Sequence, residues 1–139
     1  DAPAKKDSPG SGMLVTRRPE LFLSAQIVLH ANQSGQLAQV NALAQRLQMW
    51  VADHPRDAQA WQLLSSAYAA QGQTLRAIRA DAETQVALLD YAAALDRFKA
   101  AQDFVRKGGA ATPDHIEASI IDTRRRQVES VLKEQALER

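Results

Sequence analysis

Residues 57–83 read DAQAWQLLSSAYAAQGQTLRAIRADAE, and the spacing inside them decides the fold. Asp57 is a natural N-cap, because its short carboxylate can accept from the free amides of a first helical turn. From Ala58 to Gln71, the residues Ala60, Trp61, Leu64, Ala67 and Tyr68 recur three and four apart. That spacing gathers them on one side of a helix. Gly72 follows as a left-handed C-cap, a conformation glycine adopts without a Cβ penalty. A second helix is predicted over Leu75 to Leu88, with Leu75, Ile78, Ala82 and Val86 on one side and Arg76, Arg79 and Glu83 on another. So short a turn makes the two helices an antiparallel hairpin.

The same grammar extends in both directions. Upstream, Pro19 opens a helix over Leu21 to Asn32, where Leu21, Phe22, Leu23, Ile27, Val28 and Leu29 cover most of the circumference; Ser34-Gly35 ends it. The next helix, Leu37 to Asp53, carries Val40, Leu43, Leu47, Trp50 and Val51, and His54-Pro55 stops it because the residue before proline avoids the α region. Downstream, Asp90 caps a helix from Tyr91 to Arg106 with Tyr91, Leu95, Phe98, Ala101 and Val105 as its stripe, closed by Lys107-Gly108-Gly109. Thr112 as N-cap, Pro113 at the first helical position and Asp114 in the first turn start the last helix, which carries Ile116, Ile120, Ile121, Val128, Val131 and Leu132. The expected fold is all-α, an array of antiparallel hairpins of about six helices over residues 17–139. Residues 1–16, DAPAKKDSPGSGMLVT, mix Pro, Gly, Ser and Lys without an apolar period and read as a flexible linker or residues added at the front.

Composition agrees with this and narrows the chemistry. Alanine (26) and glutamine (14) fill more than a quarter of the 139 residues, whereas the β-branched residues a sheet would need are few. With no cysteine, disulfides, thiolate-bound metals and thiol nucleophiles are excluded. A net charge of +1 argues against a nucleic-acid partner, which normally requires a basic excess. No stretch is apolar for long enough to span a bilayer.

Trp61, Leu64, Tyr68, Gly72 and Ala77 resemble the first helix, turn and second-helix start of a tetratricopeptide repeat. Tyr91, Ala94, Phe98 and Ala101 resemble the large–small alternation of its second helix. The registers do not make a clean repeat of about 34 residues. Ala94 lies 17 residues after Ala77, so the fourth helix would serve both as second helix of one hairpin and first of the next. Asp81 and Gln85 stand where an apolar and an aromatic residue belong.

A wider resemblance rests on RPELFLSAQIVLHA (18–31), LQMWVADHPRDAQAWQLLSSAYAAQGQTLRAIRADAE (47–83), DYAAALDRFKAAQ (90–102) and DHIEASIIDTRRRQ (114–127). These strings look like the C-terminal tetratricopeptide region of bacterial periplasmic zinc metalloproteases similar to the β-barrel assembly-enhancing protease. The resemblance implies a periplasmic chain that is the second half of such a protease. Its role would be to dock partner or substrate proteins, the outer-membrane β-barrel assembly machinery and unfolded outer-membrane proteins, for a zinc-bearing HExxH domain.

This chain itself offers no catalytic set. His30, His54 and His115 stand alone, without the second ligand at helical spacing that HExxH supplies. No G-x-S-x-G elbow or phosphate loop occurs, and no cofactor is expected. Asp96 and Asp103 read as solvated, and Trp61 as core. Binding remains. Carried over from the repeat resemblance, a concave groove would be lined by Gln59, Gln62 and Ser66 and by Arg76, Arg79 and Glu83. Arg76, Arg79 and Glu83 share one helical face, where two arginines could meet a partner's carboxylates. Pairing of Arg79 with Glu83 is the plainer alternative. Arg124-Arg125-Arg126 could likewise meet an acidic lipid or partner, with pairing to Asp122 and Glu129 within the helix as the plainer reading. A different use would be self-association into a homodimer through Leu21, Phe22, Ile27 and Leu29 of the first helix.

Overall fold

A computed structural model describes residues 17–31, 37–108 and 114–138. Among them the chain is all-α: α1 (Arg18–Ala31), α2 (Leu37–Asp53), α3 (Ala58–Ala70), α4 (Thr74–Ala87), α5 (Tyr91–Arg106) and α6 (His115–Leu137). Each helix packs on the next in an array of antiparallel hairpins. The 1–16 linker, the Ser34-Gly35 stop and the Thr112-Pro113 start lie outside the described residues.

Side chains and glycines set the helix ends. Asp57 and Asp90 accept from the Ala60 and Ala93 amides at 3.2 and 3.1 Å and cap α3 and α5. Asp57 does more than cap: it also accepts from Arg18 Nε at 2.8 Å and Trp50 Nε1 at 3.0 Å, tying α1 and α2 to the start of α3. Burial would raise this carboxyl, but the bonds from Arg18, Trp50 and Ala60 outweigh it and hold it below the ordinary aspartate value. The last helix begins later than the sequence suggests. Asp114 is itself the N-cap, accepting from the Glu117 amide at 3.0 Å, because a short carboxylate serves there as well as a threonine hydroxyl.

After α3, Gly72 takes φ +75°, and the amides of Gly72 and Gln73 bond the carbonyls of Ala69 and Tyr68, the paired bonds of a Schellman end. The end of α4 repeats this pattern, Leu89 to Val86 and Asp90 to Gln85, yet the left-handed residue is Leu89, at φ +64°.

Two apolar cores lie on opposite sides of α4. The first gathers Leu21, Phe22, Leu43, Leu47, Trp61, Leu64 and Tyr68 from α1–α3, with Ala77, Ala80 and Ala87 of α4 against it. The second gathers Phe98, Ile121 and Val128 from α5 and α6, with Leu75, Ile78, Ala82 and Val86 of α4. Small alanines on one face let α4 approach α3 closely, while larger residues fill the other face. Two apolar faces leave two polar seams on the helix. Asp81 and Gln85, the misfits to the repeat pattern, occupy one of them, where Asp81 accepts from Arg97 Nε at 2.8 Å. The sharing of α4 also shows in the stacking. Among the described residues α1 touches α3 and α4 touches α6, but α3 does not touch α5, so next-but-one contacts switch from odd to even helices at α4.

Candidate functional site

The second polar seam of α4 carries Arg76, Arg79 and Glu83, and α6 meets it residue by residue. Arg76 Nη2 donates to Asp114 Oδ2 at 3.1 Å. Arg79 Nε faces Glu117 Oε2 at 3.7 Å. Arg124 donates from Nε and Nη2 to both oxygens of Glu83, at 2.8 and 2.7 Å. The partners ascend together along both helices, so α4 and α6 run parallel and this charge ladder sets their register. Arg79 also reaches Glu83 at 3.5 Å, the intrahelical pair weighed from sequence. Of the arginine run, Arg125 and Arg126 pair within α6 with Glu129 and Asp122, whereas Arg124 crosses to α4.

Burial makes the ladder unequal. The side chains of Glu83 and Glu117 are only 6% and 8% exposed. Glu83 is satisfied by the Arg124 fork, the geometry that best repays carboxylate desolvation. Glu117 Oε2 and Arg79 Nε have no hydrogen-bond partner. Burial pushes the Glu117 carboxyl above its ordinary value, and the charges of Arg79 and Arg76 offset this only in part. Asp114 shifts the other way: the Glu117 amide holds it down most, burial opposes this, and the bond and charge of Arg76 add to the lowering.

Beside the ladder runs a groove formed by two adjoining clefts of about 470 and 690 Å³. Pro55, Trp61 and Arg79 line both clefts. The smaller one is walled by Val51 and Ala52 of α2 and by Ile116 and Ile120 of α6, with Leu64 and Tyr68 of α3 on its floor. The larger one opens toward Arg56, Val86, Leu89 and Tyr91, with Glu83 and Arg124 along its side. Trp61 is nearly buried and belongs to the first core; its indole N–H donates to the Pro55 carbonyl at 2.9 Å, and the Arg79 guanidinium sits 5.5 Å from its ring.

The six residues expected to share one groove are thereby divided. Arg76, Arg79 and Glu83 line it, but their charges are already engaged by α6. Gln59, Gln62 and Ser66 are exposed on the side of α3 away from Trp61, Leu64 and Tyr68. Gln59 accepts there from Arg18 at 3.1 Å. The residues missed from sequence are Arg56, Leu89 and Glu117, and Arg124, expected to pair within its own helix, pairs instead with Glu83. Glu117 and Arg124 sit on the last helix, and only the parallel pairing of α4 and α6 brings them to the groove. Arg56 is exposed and makes no ion pair among the described residues.

The histidines lie apart in the chain, His30 on α1, His54 just after α2 and His115 at the start of α6. The Nδ1 atoms of His30 and His54 face the carbonyls of Gln26 and Trp50, four residues back, at 2.7 and 3.1 Å, and the His54 ring stacks on Trp50. Among the described residues no three His, Asp or Glu side chains converge as metal ligands, and no helix is long and apolar enough to cross a membrane. Of the first-helix residues considered for self-association, Leu21 and Phe22 are buried in the chain's own core and Leu29 packs against it, leaving Ile27 exposed beside Leu23. No family model, curated protein or solved structure matches this chain, so its function has to be argued from these residues.

Proposed function

We propose that the chain is a non-catalytic protein-docking domain serving a periplasmic zinc metalloprotease similar to the β-barrel assembly-enhancing protease. In this role it presents partner or substrate proteins of outer-membrane β-barrel assembly to the protease domain, which supplies the zinc and the HExxH helix. The observation that carries the reading is the groove beside α4, which joins apolar walls to arginines over the nearly buried Trp61. Grooves of this make-up recognise polypeptide segments by side-chain anchors and charge. The family-like strings quoted above supply the protease context.

The direct test is retention of purified outer-membrane β-barrel assembly complex, solubilised in detergent, on the immobilised protein. Saturable retention supports the proposal, and none at micromolar concentration would sink it. Charge reversal at Arg76 or Arg79 is a poor probe of the groove, since it would also break the ladder to α6. Self-association through Leu23 and Ile27, which are 60% and 62% exposed and one turn apart on α1, is the second reading. Sedimentation at several concentrations distinguishes it, because a strict monomer rules it out.

A further inference from the structure

The Leu89 end of the groove combines two features that the fold does not explain. Leu89 stands in the left-handed region at φ +64°, where an L side chain is strained, yet it is 71% exposed and contributes nothing to either core. Leu88, beside it, is also exposed. Across the same cleft lies Arg56, a charge with no ion-pair partner among the described residues. Glu83, the one carboxylate on the cleft, has both oxygens occupied by Arg124, so the cleft's uncompensated charge is positive. Its apolar lining includes Val86, Leu89 and Tyr91 beside Pro55 and Trp61. A guest that complements this surface carries a carboxylate close to an apolar side chain.

We propose that this end of the groove binds a peptide segment in which acidic side chains flank an apolar one: Arg56 takes a carboxylate, while Leu89 and Tyr91 receive the apolar group. The proposal rests on the docking reading above and names the chemistry of the partner. A peptide suits the lining better than a small anion does, because apolar side chains line the cleft together with the arginines. The left-handed Leu89 then has a use, since it presents an exposed apolar side chain on the cleft, where the guest covers it.

The test uses the full chain and two fluorescein-labelled heptapeptides, Gly-Ser-Glu-Leu-Glu-Ser-Gly and its counterpart with both glutamates replaced by lysine, followed by anisotropy. The acidic peptide is expected to bind more tightly than the basic one, with affinity falling as salt is raised. Arg56→Glu and Leu89→Gly are each expected to weaken it about tenfold, the scale of one charge-assisted or well-buried contact. Circular dichroism should stay unchanged in both variants, and Leu89→Gly should melt no lower than the parent. A better-folded variant that binds worse is an outcome a purely structural role of Leu89 would not give. Equal binding of both peptides, or full binding by Arg56→Glu, overturns the acidic assignment while leaving a docking groove. No binding of either peptide overturns this inference, and retention of the assembly complex then judges the docking reading separately. Anionic phosphatidylglycerol vesicles that bind with the same Arg56 dependence, in the absence of peptide binding, would replace it with a lipid surface.

Discussion

At φ +64° the Leu89 side chain crowds its own backbone, a cost of about 1–2 kcal/mol that glycine avoids. Glycine loses more chain entropy on folding, by about 0.5–1 kcal/mol, so the two effects partly cancel. Because Leu89 buries little, Leu89→Gly is expected to stabilise the fold by about 0.5–1 kcal/mol, read as a rise in the urea midpoint with an unchanged slope. Gly72 at the end of α3 was legible in the sequence because glycine announces a left-handed cap. Leu89 was not, since nothing about a leucine signals one. Glu117 is the other residue whose environment conflicts with its chemistry. A folded carboxyl raised above its ordinary value binds its proton before the unfolded chain does. Its burial therefore costs stability at neutral pH, and that cost disappears as pH falls through the raised value to the unfolded one. Asp57 and Asp114, both lowered, act oppositely: their contribution is present above the ordinary aspartate value and is lost as pH falls through their folded values. Glu117→Gln should accordingly stabilise the protein at about pH 7 by about 0.5–1.5 kcal/mol, the scale of one poorly satisfied buried polar group. The advantage should shrink toward zero at about pH 3.5, where glutamate is protonated. A variant less stable than the parent at neutral pH would show that Arg79 relies on Glu117 more than the 3.7 Å separation indicates.

Between elements, the α4–α6 ladder shows why the candidate site was only partly visible beforehand. Periodicity places Arg76, Arg79 and Glu83 on one face of α4, and they are on one face; it cannot say what that face meets. The intrahelical pairs of Arg125 and Arg126 are local and could be read from spacing of four. Arg124 has no carboxylate three or four residues away on α6, only Gln127, and it reaches Glu83, 41 residues away, because α6 stacks parallel on α4. The order of the helices alone does not give that contact. The energetic consequence can be tested. Removing Arg124 leaves the nearly buried Glu83 with Arg79 alone at 3.5 Å. Arg124→Met should cost about 2–3 kcal/mol, less than the roughly 3–5 kcal/mol for a fully buried pair because the arginine is 30% exposed. Converting Glu83 to Met as well should recover most of the loss, since two apolar side chains leave no stranded charge. If the double variant is no more stable than Arg124→Met, the pair is holding register in a way apolar packing cannot replace.

For the whole molecule, the all-α hairpin array follows from residues whose signals are local: Asp57, Asp90 and Gly72 at the ends, with stripes at helical spacing between them. The division into two cores was harder to see, because α4 reads as a weakly amphipathic helix when it is in fact apolar on two sides. On one of those sides Ala77, Ala80 and Ala87 face the first core. That arrangement makes stability uneven along the array, where each helix contacts mainly its neighbours. Among the described residues the first core holds fourteen buried side chains and the second seven. The second therefore has less burial to oppose local opening, so amides of α5 and α6 are expected to exchange faster than those of α2 and α3. Phe98 is fully buried at the centre of the smaller core, and Phe98→Ala should cost about 3–5 kcal/mol. Hydrogen exchange should place that loss unequally, with protection falling steeply in α5, α6 and the Leu75–Val86 face of α4, while α2 and the Trp61 face of α3 stay close to the parent. An equal loss of protection in all six helices would instead mean that α4 transmits the damage completely and that the two cores open as one cooperative unit.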